Sequence, residues 1–348
     1  MIACFNMKRV ARCLYLIVPL CGLVLSFMTG CGGKKSADEV VVRFRDPGEK
    51  LFPIKDFFQI DRNVNVRADG DYFMSDVSDA FFSDDFAFIL DQRQAVSKVD
   101  LKTGQIVSQL HQIGRGPNDY LNAMNLTGDD EHLYLLDMGG KSVHVYDHDL
   151  NHQDKFNIDY MPGPSSFTKI KDGFMFLNSF ENDSIGLFVV TDNRCRKTGT
   201  FLKKEPAQEG EDDEMNFFVI NIGKYFIPDS YGNVVCHNPN TDELFLYDGK
   251  TIWKLCQIKK DDSLTGTPGV YIKQVFTFNG NTLVNYFCGK GACYALFDKN
   301  YNLIEEGLVV NEVPFFPICQ EGNKFITAFI SDDEADNVQA QIVIYKTK

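Results

Sequence analysis

Gly114-Arg115-Gly116-Pro117-Asn118-Asp119-Tyr120 lies between two segments made of short strand-like runs. Glycines on both sides of an arginine, followed by proline, give a backbone that turns sharply at low steric cost and cannot continue a strand ladder. The segment is therefore a connection between strands. Its weight comes from what recurs on either side.

Outward from this joint the chain repeats a strand-turn-strand unit. Second strands begin near Phe86, His132, Gly173, Asn233, Asn281 and Asn323, each after a short turn such as Gly128-Asp129-Asp130 or Asn279-Gly280. Third strands end near Asp100, Asp147, Asp192, Asp248, Asp298 and Lys346, and all but the last close on an aspartate that starts the next turn. The spacing gives six copies of about 45 residues, the period of four-stranded propeller blades. Runs such as Val143-His144-Val145-Tyr146 and Gln341-Ile342-Val343-Ile344-Tyr345 are β-branched and aromatic, and no long stretch has helical spacing. The 30 phenylalanines suit blades that pack face to face and need bulky filler. The reading is all-β: a six-bladed β-propeller of four-stranded antiparallel blades spanning residues 40–348.

The ends of the chain test that reading. Only Lys346, Thr347 and Lys348 follow or overlap the last third strand, so the sixth blade has no outer strand of its own. Two spare strand candidates precede the first copy, Val40–Phe44 and Ile60–Arg67, and either could close the ring by pairing with that open edge.

The first 30 residues read as a signal peptide. Lys8, Arg9 and Arg12 form a basic region, and Leu14–Met28 is an apolar run broken by Pro19, short for a membrane span. Met28-Thr29-Gly30-Cys31 resembles a bacterial lipobox, which implies that Cys31 becomes an acylated N-terminus followed by a charged tether over residues 31–39. Gly32 in place of aspartate implies the outer membrane, with the protein facing either the periplasm or the cell surface. The net charge of −13, more negative once the basic leader is removed, argues against nucleic acid. Lipid would be met through acylated Cys31 and not through a basic face.

Met74-Ser75-Asp76-Val77 leading into Phe86–Asp91, then Val99-Asp100, Thr103-Gly104-Gln105, Gln112–Tyr120, Leu133–Asp137 and Val145-Tyr146-Asp147, resembles the six-bladed β-propeller lipoproteins of gut Gram-negative bacteria. Those proteins are similar to NHL-repeat and TolB-type propellers. The resemblance covers roughly residues 74–150 and carries no settled activity. Asn118 and Asp119 depart from the glycine and glutamate usual there.

Function is expected on the face where blade-to-blade crossings and second-to-third-strand loops emerge. That face holds Gly114–Tyr120, Pro162-Gly163-Pro164, the acidic insertion from Lys203 to Asn216, and Asp261–Gly269. Arg115 is the first candidate ligand contact, with Asp119 and Tyr120 behind it; a structural role pinning the crossing is the competing reading. No cofactor or metal is expected: the motifs of nucleophile elbows, zinc helices and phosphate loops are missing, and His144, His148 and His152 fall on a strand and a turn. The acidic runs Glu211–Glu214 and Ser331–Glu334 lack calcium-loop spacing.

With Cys4, Cys13 and Cys21 in the leader, Cys195, Cys236, Cys256, Cys288, Cys293 and Cys319 remain, most in apolar strand contexts that suit buried thiols. Cys288 and Cys293 flank a hairpin mouth and are either a disulfide or two such thiols. The expected protein is a monomeric binding module for a protein, peptide or glycan. The alternative is a glycan- or lactone-acting hydrolase or lyase with carboxylates in the channel.

Overall fold

The N-terminal stretch of the computed structural model supplies β1 (Val41–Phe44), a single helical turn α1 (Ile54–Phe57) and β2 (Phe58–Arg67). The first blade is β3 (Val77–Phe82), β4 (Phe86–Asp91), β5 (Val96–Asp100) and β6 (Ile106–Leu110). The second is β7 (Ala123–Gly128), β8 (His132–Asp137), β9 (Ser142–Asp147) and β10 (His152–Asn157). The third is β11 (Pro164–Ile170), β12 (Gly173–Asn178), β13 (Phe188–Asp192) and β14 (Lys197–Phe201). The fourth is β15 (Phe226–Pro228), β16 (Val234–Asn238), β17 (Glu243–Tyr247) and β18 (Ile252–Lys260). The fifth is β19 (Val270–Phe278), β20 (Asn281–Cys288), β21 (Ala292–Phe297) and β22 (Leu303–Leu308). The sixth contains β23 (Cys319–Glu321), β24 (Lys324–Ile330) and β25 (Val338–Thr347).

The structure describes residues 40–68, 71–83, 85–179, 185–203, 224–228, 232–309, 315–330 and 338–348. The expected signal peptide, the tether with Cys31, the acidic insertion beyond Lys203 and the Ser331–Glu334 run lie outside the described residues. Residues Val41–Lys348 form one compact unit.

Each blade is an antiparallel meander running from the ring axis outward, so the protein is a six-bladed β-propeller. The aspartates that close the third strands explain the turns that follow them. Asp100, Asp147, Asp192, Asp248 and Asp298 each accept two backbone N–H groups from the next few residues, at 2.8 to 3.0 Å. A short side-chain carboxylate that caps its own turn fixes the hairpin to the fourth strand. The sixth blade has no such aspartate because it has no such turn. Its outer strand is β2, delivered from the other end of the chain and paired antiparallel with β25 from Phe58↔Thr347 to Arg67↔Val338.

Of the two closing candidates, Ile60–Arg67 therefore lies in the strand that completes the ring, while Val41–Phe44 goes elsewhere. β1 adds in parallel to the outer edge of the fourth blade, Val41↔Gln257 through Phe44↔Lys260. Between them, Phe52 donates its N–H to the Leu308 carbonyl at 2.9 Å and Leu308 donates to the Lys50 carbonyl at 2.7 Å, so the same strap covers the edge of the fifth blade. Gly307 permits this approach, since a Cβ there would sit 2.2 Å from the Phe52 nitrogen. Three consecutive exposed edges are thus paired by one N-terminal strap, which removes their capacity to recruit foreign strands.

The core is divided among the blade junctions. Phe88 and Leu90 of the first blade meet Leu133, Leu135 and Tyr146 of the second. Tyr134 and Val145 meet Phe167, Phe174 and Phe176 of the third, and Phe188 meets Phe226 and Phe245 of the fourth. Val42 and Phe44 of the strap join the junction between the fourth and fifth blades. Phe52, Ile54 and Phe58 join the next, beside Phe278, Phe315, Phe325 and Tyr345. Val64 and Val66 enter the last, where Ile326 and Ile342 meet Ala80 and Ile89. Each fully buried side chain of this size contributes about 1.5–3 kcal/mol, so ring closure and strap docking are large terms.

Candidate functional site

Four inner strands carry a β-bulge one residue after their start of pairing or within it, and each places a polar residue at the shifted position: Asp79, Asn125, Ser166 and Gln274. All four are buried. Around the axis Asp79, Asn125 and Ser166 hand hydrogen bonds from blade to blade. Asp79 accepts the Leu126 N–H at 2.7 Å and the Asn125 side-chain amide at 2.5 Å. Asn125 in turn accepts the Phe167 N–H at 3.1 Å and the Ser166 hydroxyl at 3.3 Å. A bulge re-aims one side chain against the pleat, which here turns polar groups toward the neighbouring strand's unpaired N–H groups.

Lys224, just before β15, reaches across to this belt. Its ammonium lies 3.1 Å from Asp79 Oδ1 and donates to the Ala80 carbonyl at 2.6 Å and the Leu126 carbonyl at 3.3 Å. Burial pushes the Asp79 carboxyl up, against the pull of Lys224 and the N–H donors. Burial opposes the Lys224 charge as well, but Asp79 outweighs it and holds the ammonium above its ordinary value. The two charges hold first, second and fourth blades together at the axis.

Beyond the belt the axis opens into a depression of about 330 Å³. Its walls are the far halves of the inner strands and their hairpins: Phe81 and Phe82, Gly128, Phe167 and Lys169, Phe226, and Gln320 with Glu321. Gly128 has no room for a side chain, because a Cβ would lie 2.5 Å from the Phe81 ring that packs over it. A wider groove of about 550 Å³ continues from the depression past Ser83, Asp85, Asp129, Asp130 and His148, sharing Phe81, Phe82 and Glu321. The walls are mostly apolar and aromatic, and Lys169 and Lys224 also line the depression. The rim on the groove side is carboxylate-rich, with Asp85, Asp130 and Glu321 exposed. Asp129 is held below the usual carboxylate range: burial acts against this, but the N–H groups of Glu131 and His132 and the Tyr134 hydroxyl stabilise its charge.

This places the concave site on the hairpin end of the ring, opposite the crossing face where the sequence located the candidate loops. On the crossing face the three expected ligand residues have different surroundings. Tyr120 is fully buried, with its hydroxyl donating to the Gln94 carbonyl at 2.6 Å and accepting the Gln112 N–H at 3.3 Å; burial pushes its pKa up to about 12. Asp119 accepts the Gly116 N–H at 2.7 Å and sits where a Cβ on Gly114 would be, 2.2 Å from its Oδ2. Arg115 is exposed and has no hydrogen-bond or ion-pair partner among the described residues. The glycines and proline of this segment thus serve a turn closed by Asp119 and plugged by Tyr120, from which Arg115 projects.

Two aspartates and an asparagine tie the connections leading into the first three blades to those blades. Asp91 accepts the Ser75 N–H at 3.0 Å, Asp137 those of Leu121 and Asn122 at 3.1 and 2.8 Å, and Asn178 that of Gly163 at 3.0 Å. Burial would raise the Asp137 pKa, but the His144 ring 3.7 Å away and the N–H groups of Gly140, Asn122 and Leu121, which donate to the carboxylate, lower it to about 2. Inner-strand residues Asp79, Asn125 and Ser166 and the aromatic walls were missed in the sequence reading, which aligned second and third strands. Aligning the first strands on the residue opposite Leu90, Leu136 and Leu177 would have found all three.

The six-bladed ring with an axial depression on its hairpin face defines the protein as a β-propeller, and solved structures of bacterial proteins share that fold. A protein of Bacteroides fragilis described as a proposed exported protein is 14% identical, with a TM-score of 0.66 over 89% of this chain and all of that one. A member of the DUF4221 family from Bacteroides vulgatus is 11% identical, with a TM-score of 0.53 over 84% of this chain and 98% of that one. At these identities the likeness is one of fold. No protein-family model and no curated protein matches the chain.

Proposed function

We propose that this chain is an exported lipoprotein, anchored to the outer membrane through acylated Cys31, whose propeller is a binding module for a protein or peptide segment. The observation that carries the reading is the axial depression: about 330 Å³ with aromatic walls, opening into a carboxylate-rimmed groove. Pockets that are mostly apolar with a few placed polar groups are where ligands bind in rigid scaffolds. The chemistry favours an apolar side chain in the depression beside Phe81, Phe167 and Phe226, flanked by Lys or Arg in the groove beside Asp85, Asp130 and Glu321. Arg115, exposed on the opposite face, is proposed as a separate contact, with Asp119 and Tyr120 acting by holding its turn.

The hydrolase or lyase alternative asks for an available carboxylate near the axis. Asp79 is unsuited to that role, since both of its oxygens are taken up by the Ala80, Leu126, Asn125 and Lys224 donors. A peptide array varying an apolar residue and its basic neighbours tests the binding reading. Peptides with an apolar residue beside Lys or Arg should bind, more weakly at high salt and more weakly to Phe81→Ala and Asp130→Asn variants. A preference for acidic peptides, or binding indifferent to both variants, contradicts it.

A further inference from the structure

Two buried thiols meet at the hairpin between β20 and β21. Cys293 pairs opposite Tyr286, and Cys288 lies two residues beyond Tyr286, so both side chains project from the same face of the sheet. Their Sγ atoms are 2.9 Å apart. The turn is tight: Gly289 takes a φ of +80°, and the Cys288 N–H donates to the Gly291 carbonyl at 3.2 Å. The remaining described thiols are placed differently. Cys195, Cys236 and Cys319 belong to three other blade junctions, while Cys256 shares this one and has Tyr301 as its hydrogen-bonding neighbour.

We propose that Cys288 and Cys293 form a disulfide once the chain leaves the reducing cytoplasm, an inference that rests on the export proposed above. The oxidant is a disulfide donor, either a dithiol oxidase of the envelope or, in solution, oxidised glutathione. One cysteine thiolate attacks the donor disulfide, forming a mixed disulfide and releasing one donor thiolate. The second cysteine attacks the sulfur of the first, forming the Cys288–Cys293 bond and expelling the second donor sulfur. Two electrons pass to the donor, which leaves as two thiols carrying the two protons. Closure belongs to folding and not to the finished protein, because both sulfurs are buried and burial raises the Cys293 thiol pKa.

The bridge has a structural use. This hairpin is a dock for the strap that leads from the proposed anchor: the Tyr286 hydroxyl donates to the Arg45 carbonyl at 2.8 Å, the Tyr286 ring packs on Phe44 at 4.4 Å, and Lys290 in the turn pairs with Asp46 at 2.7 Å. A covalent clamp across the turn fixes these three groups relative to one another. The test uses the intact propeller refolded with reduced and oxidised glutathione, and in parallel the full chain exported in cells. Each sample is denatured in iodoacetamide without reductant and mapped by mass spectrometry. The expected result is that Cys195, Cys236, Cys256 and Cys319 are alkylated, while Cys288 and Cys293 remain joined, two hydrogens lighter than the dithiol. Alkylation of all six cysteines in the refolded protein, or a bridge that includes Cys256, overturns the proposal. A bridge in the refolded protein with full alkylation in cells upholds the pairing and counts against export instead.

Discussion

Removing the strap, residues 39–67, is the perturbation that bears hardest on how the ring is held. The truncated chain loses seven buried apolar side chains: Val42, Phe44, Phe52, Ile54, Phe58, Val64 and Val66. At about 1.5–3 kcal/mol each, the gross loss is about 10–20 kcal/mol, as large as the whole stability of an ordinary domain at roughly 5–15 kcal/mol. The same truncation exposes the edges of β25, β18 and β22 and leaves cavities in three junctions. The expectation is a chain without a cooperative native state that associates through its bare edges. A milder version is measurable by equilibrium unfolding: Phe58 is 2% exposed and its ring centroid lies 4.5 Å from Phe315 and 5.1 Å from Phe325, so Phe58→Ala should cost about 3–5 kcal/mol. With an unfolding entropy of about 2.1 cal/mol/K per residue, that lowers Tm by roughly 5–8 °C. Hydrogen exchange should quicken first in β25 and β24. A truncated protein that melts within about 2 °C of the full chain refutes the reasoning.

Lys224→Met leaves Asp79 buried without its counter-charge; because the lysine side chain is 22% exposed, water compensates in part and the cost should be at the low end of the usual range, about 3 kcal/mol. Asp79→Asn combined with Lys224→Met should cost less than the two single changes summed, and an additive double-mutant cycle in denaturant would show that the pair does not couple. Asp137 has a folded pKa of about 2 against an ordinary 3.8. Its contribution, about 2 kcal/mol, is therefore fully present above pH 4 to 5 and lost as pH falls through 2. Asp137→Asn should flatten the acid limb of the stability curve, and an unchanged limb would remove Asp137 as its source. Cys31→Ala should move the protein from the membrane to the soluble envelope fraction; retention on membranes would end the lipid-anchor reading.

The fold was legible because turns are local. Second-strand starts and the aspartates that close third strands depend on a few neighbouring residues, and even the missing aspartate of the sixth copy has its cause in the ring closure. The choice between the two closing strands was not local. It rests on length and partner, since the ten residues Phe58–Arg67 match the ten of Val338–Thr347 while the four of Val41–Phe44 do not. The depression was hidden for a different reason. Inner strands pack on both faces near the axis, so β3 reads as burial without alternation, and the bulge at Asp79 shifts the period by one residue. A charged residue in Val77-Ser78-Asp79-Ala80 then looks like a solvent position. Lys224 is further still from any pattern, being paired with Asp79, 145 positions earlier in the chain, across the rest of the first blade and all of the second and third. The crossing segment Gly114–Tyr120 showed its turn chemistry openly and kept the fate of its side chains to the tertiary structure.

The claim that the axial depression receives the partner is tested most directly by site-specific photo-crosslinking in cells. A photoreactive phenylalanine analogue is placed at Pro228 on the wall of the depression and, separately, at Ile304 on the outer strand of the fifth blade, which is 45% exposed. A discrete adduct from position 228 that Phe81→Ala diminishes, with none from position 304, is the result predicted here. Adducts of equal yield from both positions, or from 304 alone, would contradict it.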